Sequence, residues 1–332
     1  MKKFLKKILR INFAALVASL FSVYAYGQEF YFSQHYADKL SLNPAYAAVG
    51  DDCELGVLVR NQWPGVSGGY RIYMAEYQQK FEASQTGIGV KVVGNLKGGG
   101  AFATNGFSVC YARKIDLSLR WKCSLALQGN LSIQKIDASK LVFYSMIDPA
   151  FGTISGADAS FVTQKASQLF FSVGGLVYNQ NTMLGVSAHG LACVKLAGEK
   201  CSSPVYLSAL ANRKIAVGKR KINAKAETIY VVPSIIYRHV GEENMFVPGI
   251  YFSGVIFGAS IAYKWQKGSY NSGAVTIGLS FNVGNYKIGY AYDYETTPLQ
   301  SQAVGSHEVG VKYKLFSNKK NNGGKTILCP AF

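Results

Sequence analysis

The chain is poor in charge. Only 16% of its 332 residues are charged, against roughly 25% in an average soluble domain. It also lacks a G-X-Y repeat and a sustained heptad pattern, which excludes a collagen-like protein and a coiled coil. Disorder is excluded as well, because 49% of the residues are hydrophobic and supply ample apolar surface to bury. Glycine and tyrosine are abundant instead, with Gly 35 and Tyr 22, a balance typical of an all-β membrane protein.

Acidic residues are scarce beside basic ones, with Lys+Arg 35 against Asp+Glu 18 and a formal net charge of +17. Five of the basic residues lie in the first 27, and without them the charge is +12. No Lys/Arg stripe or nucleic-acid motif accompanies the excess, so nucleic acid is not expected as a partner. We expect the positive charge to face anionic lipid, a lumen or acidic partner surfaces.

The N-terminus has the pattern of a secretory signal peptide. A basic stretch over 2–10 precedes an apolar run over 11–24, and the small residues Ala25 and Gly27 follow. We predict a signal peptide over 1–27, with Gln28 as the first mature residue. The alternative is an uncleaved anchor helix, and either one exports the chain.

The remaining sequence alternates with a period of two, as β-strands do. Aliphatic or aromatic residues alternate with small, polar or charged ones in 275–283, 287–294 and 308–315. We predict an all-β fold, a transmembrane antiparallel β-barrel of about 14 strands with a lipid-facing apolar surface and a polar lumen. A soluble sandwich could alternate in the same way. The predicted strands cover roughly 53–61, 69–80, 85–94, 103–114, 119–135, 167–178, 182–192, 204–213, 222–238, 244–252, 255–266, 272–283, 286–295 and 305–316.

The connections between these strands alternate in length. The odd-numbered ones are mostly long, the longest being 136–166, and the even-numbered ones are mostly short. Long outer loops and tight periplasmic turns are typical of bacterial outer-membrane barrels. The uncharged run 246–263 has the length of a membrane-spanning helix. However, it contains Pro248, Gly254 and Gly258, with aromatic and β-branched residues between them, and this favours a hairpin turning near Ser253.

The segment before the first strand, 28–50, lacks clean alternation but is rich in aromatic residues. It is therefore expected to bury itself, either in the barrel lumen or as an arm on the periplasmic rim. The predicted organisation is a signal peptide (1–27), an N-terminal segment (28–50), a barrel (51–318) and a C-terminal periplasmic tail (319–332).

Six cysteines remain in this exported chain, where disulfides are permitted. Burial as small apolar residues is the alternative to pairing for all of them. Three candidate pairs follow from the predicted hairpins and barrel closure: Cys193 with Cys201, Cys110 with Cys123, and Cys53 with Cys329.

Known catalytic motifs are missing. The four histidines form no HExxH or clustered metal site, no G-x-S-x-G elbow occurs, and Gly87-Ile88-Gly89 lacks the rest of a dinucleotide motif. We predict no enzyme activity, cofactor or metal. A hydrolase using His189 or His307 is the enzymatic alternative.

Several short motifs occur in a fixed order along the chain. They are Phe32-Ser33-Gln34, Leu42-Asn43-Pro44-Ala45-Tyr46-Ala47, Arg60-Asn61-Gln62-Trp63-Pro64, the loop around Asp148, Val232-Pro233-Ser234, Tyr290-Ala291-Tyr292-Asp293-Tyr294 and Gly305-Ser306-His307-Glu308. In this ordered set the chain resembles the PorP/SprF family of type IX secretion system outer-membrane proteins, from about Phe30 to Leu315. It departs at Ala48, where the family usually has Gly, and at Val59, where an aromatic residue is common.

The resemblance implies a non-enzymatic outer-membrane component, of Bacteroidetes-type bacteria, that supports export or surface anchoring of an adhesin-like protein and, in some members, gliding motility. It implies outer-membrane lipid, periplasmic secretion or peptidoglycan-associated proteins, and a secreted protein with a type IX C-terminal signal as partners. A channel or hydrophobic-solute transporter is the alternative function. Structural or partner-binding roles are expected for Asn43, Pro44, Tyr46, Asn61, Gln62, Trp63, Pro64, Asp293, Tyr294, Gly305, Ser306, His307 and Glu308.

Overall fold

The structure is a computed structural model. It describes residues 31–35, 37–50, 53–142, 146–148, 152–153, 164–197, 205–222, 225–268, 271–297 and 304–316. The predicted signal peptide and C-terminal tail lie outside these residues. Within them, no helix has both the length and the apolar character needed to cross a membrane.

The predicted strands are present, and they form one closed antiparallel sheet. The strands are β1 Cys53–Gln62, β2 Tyr70–Phe81, β3 Thr86–Lys97, β4 Phe102–Asp116, β5 Lys122–Ile136, β6 Gln164–Tyr178, β7 Thr182–Ala197, β8 Tyr206–Arg213 with Ile215–Ile222, β9 Lys225–Val240, β10 Glu243–Ser253, β11 Phe257–Lys267, β12 Ser272–Val283, β13 Tyr286–Glu295 and β14 Ser306–Phe316. The 246–263 run is thus a hairpin, as predicted.

Strand β8 is longer than predicted and is interrupted once. The register on β9 is unchanged across the interruption, since Asn212 lies opposite Ser234 and Ile215 lies opposite Val231. It shifts by one residue further along, between Ala216 and Gly218. The interruption falls opposite Pro233, which has no N–H to give to the ladder. The residues 214–221, expected to be a loop, are therefore mostly strand, and the barrel has 14 strands.

The barrel closes between the first and last strands. Strands β1 and β14 pair antiparallel, with Val57 opposite Val311 and Arg60 opposite Glu308. Closure leaves no sheet edge in the wall, which is the condition for a β-structure to satisfy its backbone hydrogen bonds within lipid.

Side chains alternate between the two faces of the wall as the sequence indicates. On β1, Leu55, Val57 and Val59 are exposed on the outer face, while Leu58 and Arg60 are buried inside. Large apolar residues cover the outer face of the other strands in the same way, and the inner face is rich in Ser, Asn, Gln and charged residues. This is the polarity of a transmembrane barrel and the reverse of a soluble one.

The connections sort by length between the two ends of the barrel. One end, the loop side, carries 63–69, 98–101, 137–163, 198–205, 241–242, 268–271 and 296–305. The other end, the turn side, carries 82–85, 117–121, 179–181, 223–224, 254–256 and 284–285, together with both ends of the barrel chain. In outer-membrane barrels the longer connections face the cell exterior and the short turns face the periplasm. By this rule the loop side faces the exterior and the turn side faces the periplasm.

Residues 31–35 and 37–50, the lumen segment, lie inside the barrel and run from the loop side to the turn side. The segment contains a short helix, α1 Lys39–Leu42, and a 3₁₀ turn, Pro44–Ala48. Its Phe32, Leu40 and Tyr46 are buried almost completely. Of the two predicted placements, the structure therefore selects the lumen over the rim.

Two of the predicted disulfides do not form. Cys53, Cys110 and Cys123 are free thiols. The hairpin register places Cys110 opposite Gln128, not opposite Cys123, because the turn lies at 117–121 and is longer than two residues. Cys193 is in a disulfide. Since Cys201 and Cys329 lie outside the described residues, the pairing of Cys193 with Cys201 stays a prediction.

Candidate functional site in the barrel lumen

Five consecutive strands each direct one polar side chain to the same point on the loop side of the lumen. They supply Lys264 from β11, Thr276 from β12, Asp293 from β13, Glu308 from β14 and Arg60 from β1, and we call this set the loop-side cluster. Arg60 lies 2.7 Å from the Asp293 carboxylate and 3.3 Å from that of Glu308. Lys264 Nζ lies 2.5 Å from Asp293, and Thr276 Oγ1 donates to it at 2.6 Å.

The lumen segment inserts its first described residues into this cluster. The backbone N–H groups of Ser33 and Gln34 each donate to one oxygen of the Glu308 carboxylate, both at 2.8 Å. The Ser33 hydroxyl lies within 2.9 Å of both Asp293 oxygens and accepts from Arg60 and Lys264. Glu308 therefore binds the backbone of the segment, and Asp293 binds its serine.

The cluster is buried and electrically balanced. The side chains of Arg60, Asp293 and Glu308 are 4%, 1% and 1% exposed. Two cations face two anions, so the formal charges of the four ionic side chains cancel. Buried charges are tolerated when they are paired and hydrogen-bonded in this way, and removing one partner leaves the others uncompensated.

An aromatic pair of the lumen segment covers the cluster. The ring of Tyr31 lies 4.8 Å from Lys264 Nζ and 5.2 Å from the Arg238 guanidinium, and its hydroxyl lies 3.0 Å from His35 Nε2. Burial, with help from the nearby Arg238 and Lys264 cations, lowers the pKa of His35 to about 3. His35 is consequently neutral, which suits a position next to two cations.

A second ionic contact binds the lumen segment at α1, closer to the turn side than the loop-side cluster. Lys39 of α1 lies 3.3 Å from Glu54, and Lys312 of β14 lies 2.5 Å from the same carboxylate. The next residue, Leu40, donates its N–H to Glu76 of β2 at 3.4 Å. The segment is thus bound to charged groups at two depths of the lumen.

Asn43 binds the segment to strands β6 and β7, across the lumen from the strands of the loop-side cluster. Its side-chain NH₂ donates to the carbonyl oxygens of Gly175 and Val186, at 3.0 and 2.9 Å, on the neighbouring strands β6 and β7. Its side-chain oxygen accepts from the Ala45 N–H at 2.9 Å and so caps the 3₁₀ turn. Pro44 follows at the first position of that turn, where it has no N–H to leave unpaired. We call Asn43–Ala48 the Asn43 anchor.

The wall has glycine where the anchor touches it. A Cβ on Gly174 would overlap the Asn43 side-chain oxygen and lie 2.8 Å from Pro44 Cδ. A Cβ on Gly87 would overlap the carbonyl oxygen of Ala47. The Gly87-Ile88-Gly89 stretch therefore makes room for the lumen segment, which explains its glycines without a nucleotide.

The structure divides the predicted site residues into four groups. Asp293 and Glu308 lie in the loop-side cluster, beside the buried Ser306, while Asn43, Pro44 and Tyr46 form the anchor. Tyr294 and His307 face outwards. The hydroxyl of Tyr290, also on the outer face, lies 2.7 Å from His307 Nδ1.

Of the remaining predicted residues, Trp63 and Gly305 join two connections at the loop side. Trp63 donates its backbone N–H to Gly305 at 2.9 Å and its indole N–H to Glu295 at 3.1 Å. Its φ of 58° is left-handed, which is uncommon for an aromatic residue. Gln62 accepts from Arg60 at 3.3 Å, Asn61 lies opposite His307 in the β1–β14 register, and Pro64 is exposed.

Sequence reasoning did not single out Lys264, and it treated Arg60 and Ser33 only as parts of motifs. Lys264 directly follows the uncharged run 246–263 and belongs to no motif. The usable signal was a charged residue on the polar face of a predicted transmembrane strand, since such a residue needs a partner in the lumen.

The histidines do not suggest catalysis. His189 faces the lumen, stacks on Tyr206 and lies 3.0 Å from the Ser187 hydroxyl. That hydroxyl donates to the Leu42 carbonyl of the lumen segment at 2.8 Å, and both residues are buried beneath the segment. Among the described residues, no group of three or more His, Cys, Asp or Glu could hold a metal ion.

A closed 14-stranded sheet with an apolar outer face, occupied by its own N-terminal segment, defines a β-barrel of the outer-membrane type. Comparison with solved structures agrees. The Ralstonia pickettii toluene transporter TbuX matches with 10% identity over 83% of this chain and 92% of that one, with a TM-score of 0.50. A Pseudomonas aeruginosa FadL homologue matches with 9% identity over 82% and 93%, with a TM-score of 0.44. At these identities the likeness concerns the fold alone.

The sequence identifies the family. A profile of the "Type IX secretion system membrane protein PorP/SprF" family matches residues 25–313, nearly the whole chain. The chain belongs to the PorP/SprF family, and it is an outer-membrane component of type IX secretion. No curated protein matches it.

Proposed function

We propose that this barrel supports the export or surface anchoring of a secreted, adhesin-like protein and acts as a scaffold, with no solute or polypeptide passing through its lumen. The observation that carries the proposal is the lumen segment. It is bound at the loop-side cluster, at Glu54 and at the Asn43 anchor, so it contacts the wall from one end of the barrel to the other.

One cavity beside the segment, lined by Ser33, Gln34 and Tyr251, measures about 30 Å³, which is enough for one or two water molecules. A barrel that conducts solute needs a continuous polar passage, and the bound segment opposes one.

On this proposal the two ends of the barrel have different partners. The long connections of the loop side, above all 137–163 and 198–205, would meet the secreted protein with its type IX C-terminal signal. The turn side would meet periplasmic secretion or peptidoglycan-associated proteins. Trp63, through its hydrogen bonds to Gly305 and Glu295, joins the connection 63–69 to the connection 296–305 and would keep the two in a fixed arrangement.

A deletion strain tests the proposal. We expect it to lose one or a few large proteins from the cell surface, measured by surface proteolysis and mass spectrometry, while uptake of small dyes stays unchanged. Complementation with the wild-type chain should restore display. Normal surface display in the deletion strain would refute the proposal.

Single-channel recording in planar bilayers separates this function from the alternative of a channel or hydrophobic-solute transporter. We expect the wild-type barrel to show no steady conductance. Deletion of residues 31–49 serves as the positive control, because it removes the segment and should open the lumen. Steady conductance of the wild-type protein would favour the channel.

A further inference from the structure

Part of the wall continues beyond the turn side of the barrel. The pairing of β7 with β8 ends at Thr182 opposite Arg213, and the pairing of β10 with β9 ends at Ser253 opposite Tyr230. Past Arg213, Ile215–Ile222 pairs with residues 225–231 of β9, and 218–222 with 225–229 lies past both points. We call 215–222 and 225–229 the turn-side ribbon. Eight residues of strand extend roughly 25 Å.

The ribbon has an unpaired edge. Among the described residues, Ile215–Ile222 pairs only with β9, so one side of this strand presents its backbone N–H and C=O groups without a neighbouring strand. Near its base Ile215 and Val217 are exposed, Val217 by 64%. An exposed edge with apolar residues is a template for another strand.

The ribbon also concentrates positive charge. Residues 213–229 contain six basic residues and one acidic residue, Glu227. Since the barrel places this charge on one projection, it favours an acidic partner there. The same charge disfavours a second copy of this chain, because pairing two ribbons would bring like charges together.

We propose that the turn-side ribbon binds an acidic, extended segment of a periplasmic component of the secretion system, which adds as a strand to Ile215–Ile222. The inference rests on the proposed function, in which the barrel works with periplasmic proteins. Backbone hydrogen bonds along the edge supply the geometry, and the basic composition of the ribbon supplies the selection for acidic residues.

The test uses the full-length barrel in nanodiscs and, as probes, the purified periplasmic components of the same secretion system. The ribbon variant carries Lys219→Glu and Lys221→Glu. The matched control carries Lys135→Glu and Lys165→Glu, an equal change of charge on exposed, adjacent positions at the loop side. We expect one component to bind the wild type and the control with equal affinity, and to bind the ribbon variant about tenfold or more weakly. Affinity for the wild type should fall as salt is added.

Hydrogen–deuterium exchange distinguishes strand addition from charge attraction alone. Amides within 215–222 should exchange more slowly when the partner is bound, because the edge then has hydrogen-bond acceptors. Three outcomes would each overturn the inference. The first is equal binding of the partner to the wild type and the ribbon variant, and the second is binding without protection of 215–222. The third is that the substitutions weaken binding of the barrel to phosphatidylglycerol vesicles but to none of the periplasmic components.

Separate outcomes test the ribbon inference and the proposed function. If the ribbon variant binds its partner normally and restores surface display to the deletion strain, the ribbon inference fails and the function stands. If the deletion strain never loses display, the function itself fails.

Discussion

The loop-side cluster and the Asn43 anchor hold the same segment at opposite ends of the lumen. At the loop side, charged side chains from four strands and Thr276 from a fifth surround Ser33 and Gln34. At the anchor, neutral amides, carbonyls and hydroxyls bind the backbone, and glycine lets it approach the wall. The ionic contacts of the cluster stabilise the segment only when every charged partner is present. The anchor stabilises it through neutral hydrogen bonds and a close fit against the glycines of the wall. The two ends should therefore respond differently to mutation, salt and pH.

The largest effect is expected from Arg60→Ala. The change leaves Asp293 and Glu308 buried with one cation between them, and breaking a buried ion pair from one side costs about 3–5 kcal/mol of unfolding free energy. Urea unfolding of the folded barrel in detergent measures the loss. Arg113→Ala removes the same side chain from an exposed position and should leave stability within about 0.5 kcal/mol. Equal losses in the two variants would mean that the cluster is not a special source of stability.

A smaller loss is expected from Gly174→Ala at the anchor. The added methyl group collides with Asn43 and Pro44, and overpacking of this kind costs about 1–3 kcal/mol. Gly175→Ala is the matched control, because its methyl group would lie 3.4 Å from Leu125, an ordinary contact on the outer face. The Gly174 variant should also admit protease to residues 31–50. Protection like that of the wild type would contradict the proposed fit.

Replacement of Asn43 separates its two roles. Asn43→Ala loses the cap and both bonds to the wall, for about 1–2 kcal/mol in total. Asn43→Ser keeps a cap acceptor but is too short to reach Gly175 and Val186. We expect Asn43→Ser to fall between the wild type and Asn43→Ala in unfolding free energy. If it equals the wild type, the bonds to the wall contribute nothing to stability.

The smallest effect at neutral pH is expected from His35→Gln, whose consequence appears on acidification. The pKa of His35 is about 3 in the folded barrel and 6.5 ordinarily, so the unfolded or released state binds the proton first. Stability of the wild type should therefore fall as pH drops from 6.5 towards 3. Burial raises the pKa of Asp38, which acts in the opposite sense, so the informative quantity is the difference between wild type and variant. Parallel pH profiles of the two would contradict a neutral, buried His35.

Much of this architecture could be predicted from local patterns. The alternation in β1 predicts that Leu55 and Val57 lie on the outer face and Arg60 on the inner face. The difference in length between odd- and even-numbered connections predicts which end of the barrel faces the cell exterior. Strand boundaries were less predictable, as at β8, where the Pro233 break interrupts hydrogen bonds with no change of register. The predicted pair of Cys110 with Cys123 was wrong for a similar reason, because the turn at 117–121 is longer than two residues and places Cys110 opposite Gln128.

By itself the sequence determined the two-faced strands, their number and the motifs that identify the family, because these depend on neighbours along the chain. The tertiary structure decided which inward charges meet. Arg60 faces Glu308 only because the first and last strands pair across the closing seam, and both reach Ser33 only because residues 31–50 lie inside the barrel. Such contacts between distant residues are set by closure and burial, since lipid outside the wall leaves the lumen as the place where these charges can be paired.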